Sequence, residues 1–271
     1  MKKVIFTLLF LIFLAYWHVT VQRPAPIYLS PTNQISKPEV PQYHNKVYEI
    51  IKFINDQNSK IDSIYVENMP IKLQQRNSTF NVFGELAMKK EKNFRLKVNH
   101  RIFGQEMDIG SNNQYFWFWS KHMRPAALNY AKHEDTNKTM LKTALNPEWM
   151  MESLNISLIP TENIKITQFK EFNAIIQDRV ATTGENVTIL ILIDPKLKVV
   201  VGRYLYNQNE KLIASAEYKN FKQQIPSKIL IIWYEEAVIL NWDLSNIKIN
   251  SDINKKMWLM PEFKNKIDIG S

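Results

Sequence analysis

Five ring-bearing side chains in succession, Tyr115-Phe116-Trp117-Phe118-Trp119, constrain this chain more than any other feature. The run is short, rich in aromatic residues, and bounded by Asn112-Asn113 and Ser120-Lys121, which is the pattern of a strand. Successive side chains of a strand point to opposite faces. Tyr115, Trp117 and Trp119 therefore share one face, and Phe116 and Phe118 share the other. A sheet with one wet face alternates apolar and polar residues. This segment is apolar on both faces, so both must be covered. The same doubling recurs in Val187-Thr188-Ile189-Leu190-Ile191-Leu192-Ile193 and in Ile229-Leu230-Ile231-Ile232-Trp233-Tyr234.

One cover is available nearby. Val47, Ile50, Ile51 and Ile54 fall at i, i+3, i+4 and i+7, with Lys46, Glu49, Lys52 and Asn55 elsewhere on the wheel, which predicts an amphipathic helix over 43–57. Covering the second face takes the opposite wall of a curled sheet, a partner, or an apolar ligand. Three readings stay open on the residues alone: a large two-sided core, the wall of a lipid-sized cavity, or a protein-docking patch. A barrel filled by side chains and one filled by an acyl chain share one periodicity.

The rest of the chain is dominated by short strand-like segments with polar or Gly-containing breaks. They run over 63–75, 80–89, 94–103, 106–109 and 114–120, and again over 164–171, 173–180, 187–193, 199–206, 212–221, 228–235 and 237–244. Between the two groups, 125–128 and 146–151 read as helical turns, the second with Asn146 as N-cap and Pro147 at the first helical position. The expectation is a mostly β, α+β domain with roughly ten to twelve strands. It takes the form of a single curved antiparallel sheet, an incomplete barrel closed by helices.

Met1-Lys2-Lys3 and the apolar run Val4–Trp17, broken only by Thr7, have the layout of a Sec export signal. No small-x-small triplet follows, so residues 1–21 read either as a signal peptide or as an uncleaved inner-membrane anchor. As a helix, Val4–Val21 would be about 27 Å long at ~1.5 Å per residue, near the thickness of a bilayer core. The proline-rich stretch 22–42 reads as an extended linker, and 43–271 as the folded body. The net charge of +9 suits anionic lipid head groups. Nucleic acid is set aside, because Lys and Arg are scattered and no familiar nucleic-acid motif occurs. With no cysteine, disulfides, thiol catalysis and attachment of a lipid to cysteine are excluded.

Several pieces in a fixed order over roughly 43–265 resemble the LolA/LolB superfamily of bacterial envelope proteins. They are the helix followed by Ile64-Tyr65-Val66, Gly84-Glu85-Leu86-Ala87 ahead of Asn93-Phe94-Arg95-Leu96, and Asp108-Ile109-Gly110-Ser111-Asn112 ahead of Phe116-Trp117-Phe118-Trp119-Ser120. Pro125 to Asp135, Ile193-Asp194-Pro195, Ile225 to Ile229, Ile247 to Asn250 and Met260-Pro261 continue the match. The resemblance implies a LolA-like half-barrel whose apolar interior holds lipid or lipoprotein acyl chains, with no bond made or broken and no cofactor. It also implies cavity walls built by Tyr115, Trp117 and Trp119 or by Phe116 and Phe118. The expectation is a monomeric envelope protein facing the periplasm, held at the inner membrane where the N-terminal segment stays uncleaved, with a ligand-free scaffold as the alternative. Two departures weaken the known roles. Lys90-Glu91-Lys92 stands where the carrier has an Arg-Pro pair, and the lipid-bearing cysteine of the receptor is missing.

Candidate chemistry is sparse. His133-Glu134-Asp135 lacks H-E-x-x-H spacing and reads as a loop. His18, His44, His100 and His122 are scattered, and there is no G-x-S-x-G and no Gly-rich phosphate loop. Glu235-Glu236 reads as a hairpin turn. Arg95, Lys97 and Arg101 alternate along one strand and read as its wet face, with contact to lipid phosphates as the alternative.

Overall fold

The computed structural model describes residues 41–271 except 76, 77, 91, 140, 144, 145 and 223. The expected export segment and nearly all of the linker lie outside the described residues. The body opens with helix α1 (Pro41–Ser59) and continues as a meander of β1 (Ser63–Gln75), β2 (Ser78–Lys89), β3 (Asn93–His100), β4 (Gly104–Ser111), β5 (Tyr115–Ser120) and β6 (Leu128–Lys132). A 3-10 turn (His133–Lys138) and the short helix α2 (Pro147–Glu152) lead to a second meander. Its strands are β7 (Ile164–Phe169), β8 (Phe172–Val180), β9 (Asn186–Asp194), β10 (Val199–Asn207), β11 (Leu212–Lys222), β12 (Ile225–Trp233) and β13 (Val238–Asp243). Two short strands, β14 (Lys248–Ile249) and β15 (Lys266–Asp268), flank a last 3-10 turn (Lys255–Trp258).

All the strands belong to one sheet, ordered β15-β6-β5-β4-β3-β2-β1-β13-β12-β11-β10-β9-β8-β7, with β14 added to β1. The first and last meanders meet where β1 pairs with β13, Ile71 opposite Trp242 and Leu73 opposite Leu240. β7 and β15 end the sheet without pairing to each other, so the barrel stays open. Long β1 breaks register between Val66 and Met69, where Asn68 takes φ 52°. Asparagine tolerates that left-handed conformation, and such a bulge bends a strand and adds twist.

α1 begins at Pro41, two residues before the sequence expectation, because proline is accommodated in a first helical turn. Val47, Ile51 and Ile54 are buried against Ile64, Val66, Leu86 and Leu96 on one face of the sheet. That face is the concave one. α2 is capped as expected, the Asn146 side chain accepting from Glu148 N at 3.0 Å.

The opposite face of the second meander is closed by its own side chains, with Ala174, Ile176, Leu190, Leu192 and Tyr206 in a separate cluster. On the first meander the cover is the chain's C-terminal segment, which the sequence reading did not consider. Arg95 Nη1 donates to the carbonyls of Lys256, Met257 and Leu259 at 3.4, 3.3 and 3.1 Å, and Asn112 Nδ2 donates to Trp258 O at 3.1 Å.

Three expectations are corrected. Leu128 begins β6 rather than ending a helical turn. Strand β6 is held by β5 on one side and by parallel β15 on the other. The strand count exceeds the expected ten to twelve through β6, β14 and β15. Arg95 is not on a wet face: it is buried and bidentate to Asp108, with Nε at 3.1 Å from Oδ1 and Nη2 at 2.7 Å from Oδ2. Lys97 on the same row binds Glu85 at 3.0 Å beneath the same C-terminal segment.

Candidate functional site

The first meander curves around an apolar hollow of about 410 Å³. Its floor is a continuous patch read off the register. Ile71 and Leu73 of β1 stand beside Val82 and Phe80 of β2, Leu96 and Val98 of β3 beside Ile109 and Met107 of β4, and Ile109 beside Phe118 of β5. Leu240 and Trp242 of β13 extend it across the junction of the two meanders, and α2 adds Pro147 and Met150 from above.

The aromatic run divides between two environments. Phe116 and Phe118 face the hollow and pack with Met123, Ala131 and Leu141. Trp117 and Trp119 also border it, but their rings lie on the convex side. The Trp117 indole donates to Asp108 Oδ1 at 3.3 Å beneath the Arg95 guanidinium, and Trp119 meets Phe263 at 5.2 Å between centroids. Tyr115 packs edge-on to Tyr130 on that same outer side. Of the five candidates, the two phenylalanines thus project into the concavity while the other three rings are secured outside it.

This division explains the stretch around Gly110. Gly110 is opposite Trp117, and a Cβ there would overlap the indole ring. Glycine leaves the wide ring room to lie flat on β4, and Asp108 on the same face takes its N–H. The wall residues that sequence reading missed carried a usable signal. Ile71, Leu73, Val82, Leu96, Val98, Leu240 and Trp242 alternate with Lys72, Asn81, Lys97 and Asn241, the period of a half-covered strand.

Polar groups gather at one end. Glu106 is bonded to His122 Nε2 at 2.8 Å and to Lys121 Nζ at 3.3 Å, with Gln75 and His100 nearby on the wall. There the turn between β3 and β4 exposes Ile102 (81%) and Phe103 (62%), with Lys121 Nζ 5.7 Å from the Phe103 ring centre. His133 serves structure: Nε2 lies 2.7 Å from Asn112 O, tying β6 to the turn before β5. Burial holds its imidazole below the usual range, the Asn112 carbonyl opposing and Lys92 adding to the fall. Among the described residues no group of His, Asp and Glu is placed to hold a metal ion. None of the described helices is long and apolar enough to cross a membrane.

An open curved antiparallel sheet with an apolar hollow under its helices defines a LolA-like half-barrel. Solved structures bear this out. The chain is similar to a putative outer membrane lipoprotein-sorting protein domain from Vibrio parahaemolyticus, with TM-score 0.50 and 11% identity over 78% of this chain and 94% of that one. It is equally similar to a LolA superfamily protein from Nitrosomonas europaea, at TM-score 0.50 and 11% identity over 78% and 97%. A DUF1329 family protein from Desulfovibrio piger aligns at TM-score 0.52 and 9% identity over 78% and 95%. At these identities the likeness concerns the fold. No family model and no curated protein matches the sequence.

Proposed function

We propose that this protein is a non-enzymatic protein of the bacterial envelope that binds lipid or lipoprotein acyl chains in the concave hollow. The observation that carries the reading is the 410 Å³ space walled by Phe116, Phe118, Val98, Leu240, Trp242 and Met150. A cavity of that size lies within the range of ligand pockets, which hold a few placed polar groups in an otherwise apolar lining. Each methylene moved from water into such a lining contributes about 0.8 kcal/mol.

In this reading the chain acts as a monomer in the periplasm. It is exported by its N-terminal segment and held by it at the inner membrane, and the exposed Ile102-Phe103 turn at the polar end meets the membrane surface. The test is native mass spectrometry of the full chain purified from a bacterial envelope. Co-purifying lipid at defined stoichiometry supports it. Protein without lipid and without affinity for a fluorescent acyl probe overturns it and leaves a scaffold with a packed sheet.

A further inference from the structure

The concave face carries a second hollow of different character, about 370 Å³ in volume, over β8, β9 and β10. α2 stands between the two, turning Pro147 and Met150 to the first and Glu152 to the second. Asn55 of α1 and the segment 157–161 close it from above. At its base is Arg203, 2% exposed, at a position where the strand pattern calls for an apolar residue. Its neighbours across β9 and β11 are Ile191 and Ala216, both core residues.

Two buried arginines of this chain can be compared. Arg95 uses its Nε and Nη2 edge to grip both oxygens of Asp108. In Arg203 the same two nitrogens, Nε and Nη2, have no hydrogen-bond partner among the described residues. The nearby carboxyl is engaged through one oxygen, Glu152 Oε1 lying 2.7 Å from Arg179 Nη2, while its buried Oε2 has no hydrogen-bond partner among the described residues. Burial pushes the Glu152 carboxyl up, with Arg179 and then Arg203 opposing. The buried Tyr218 hydroxyl lies close to Arg203. Arg203 thus brings two unpartnered donors to the base of a hollow of ligand size. A guanidinium taken out of water needs each of its N–H groups met, and its flat two-pronged edge matches the two oxygens of an oxyanion.

We propose that this hollow is a binding site for a small oxyanion group, a carboxylate or phosphate, gripped by the Nε–Nη2 edge of Arg203. The site stands apart from the acyl-chain reading, since none of its donors lines the apolar hollow. Such an oxyanion has two sources, a free anion or the head group of an amphiphile.

Calorimetry on the full chain with inorganic phosphate and with dodecyl phosphate, dodecanol serving as control, decides both points. Saturable binding of both anions assigns a free-anion site, and binding of dodecyl phosphate alone assigns a head-group site. In either case Arg203→Gln should weaken binding at least tenfold while leaving fluorescent acyl-probe affinity within twofold. Arg203→Lys keeps the charge but loses the fork, and should weaken it severalfold if Arg203→Gln does not fold. No saturation by either anion in the wild-type chain, or affinity unchanged in a folded Arg203 variant, overturns the proposal. Loss of probe binding with anion binding retained would instead strike only the acyl-chain reading.

Discussion

Val98→Trp separates a hollow from a filled core, because the two give opposite signs. Val98 is 7% exposed and stands between Gly84 and Met107 on the cavity wall. At about 30 Å³ for a water-sized group, which is close to a methylene, the 410 Å³ hollow has room for about 14 such groups. At ~0.8 kcal/mol each, full occupancy is worth at most about 11 kcal/mol before ordering costs. Tryptophan brings about seven more side-chain atoms than valine and fills about half of that space. A chain able to slide toward the mouth recovers part of the loss, leaving about 2–3 kcal/mol, or a roughly 30- to 150-fold weaker affinity. The folded state itself loses little, since the ring enters space rather than packed atoms. In a filled core the same insertion costs about 1–3 kcal/mol of stability. Urea denaturation and titration with a fluorescent acyl probe are run on the same samples. A destabilised variant that binds the probe as tightly as wild type refutes the reasoning.

Three further outcomes are expected. Asp108→Ala leaves buried Arg95 without its carboxylate and should cost about 3–5 kcal/mol in urea denaturation, while Arg95→Met combined with Asp108→Leu should recover most of it. His133 has its pKa lowered by burial, so the folded state binds its proton less readily than the unfolded chain. Its contribution is therefore complete above about pH 6.5 and shrinks as pH falls below that. His133→Gln should flatten the fall in denaturation midpoint between pH 7.5 and 5.5, and an unchanged pH profile would contradict it. Ile102→Ser should slow probe transfer from anionic vesicles severalfold and leave affinity for probe in solution within twofold, because Ile102 is exposed on the turn and is not part of the wall of the hollow.

Much of this fold was legible because strand alternation is local. The bounds of β1 were read residue for residue, and the doubly apolar stretches 115–119 and 187–193 correctly announced cover on both faces. What failed was nonlocal. β6, β14 and β15 are at most five residues long and owe their form to partners far along the chain, Leu128 to Lys266 and Ile249 to Ile64. Arg95 looked like a surface charge because its carboxylate and its carbonyl partners are contributed by β4 and by the C-terminal segment. Arg203 offered no warning at all: one arginine in an apolar strand has no period.

The direction of the aromatic run is the instructive case. Alternation fixes which rings travel together, but it does not say which set faces inward. That choice follows from β4. Asp108 must meet Arg95, so it marks the convex side, and Gly110, two residues on, lies on the same side and leaves space for an indole. Trp117 is the ring opposite Gly110, and its N–H reaches the Asp108 carboxylate. Placing Trp117 outside forces Phe116 and Phe118 inward, where their rings have no polar atom to satisfy. The Asp-x-Gly pair ahead of an aromatic strand thus decides which wall the cavity receives, and it decides for the two rings with nothing polar to offer.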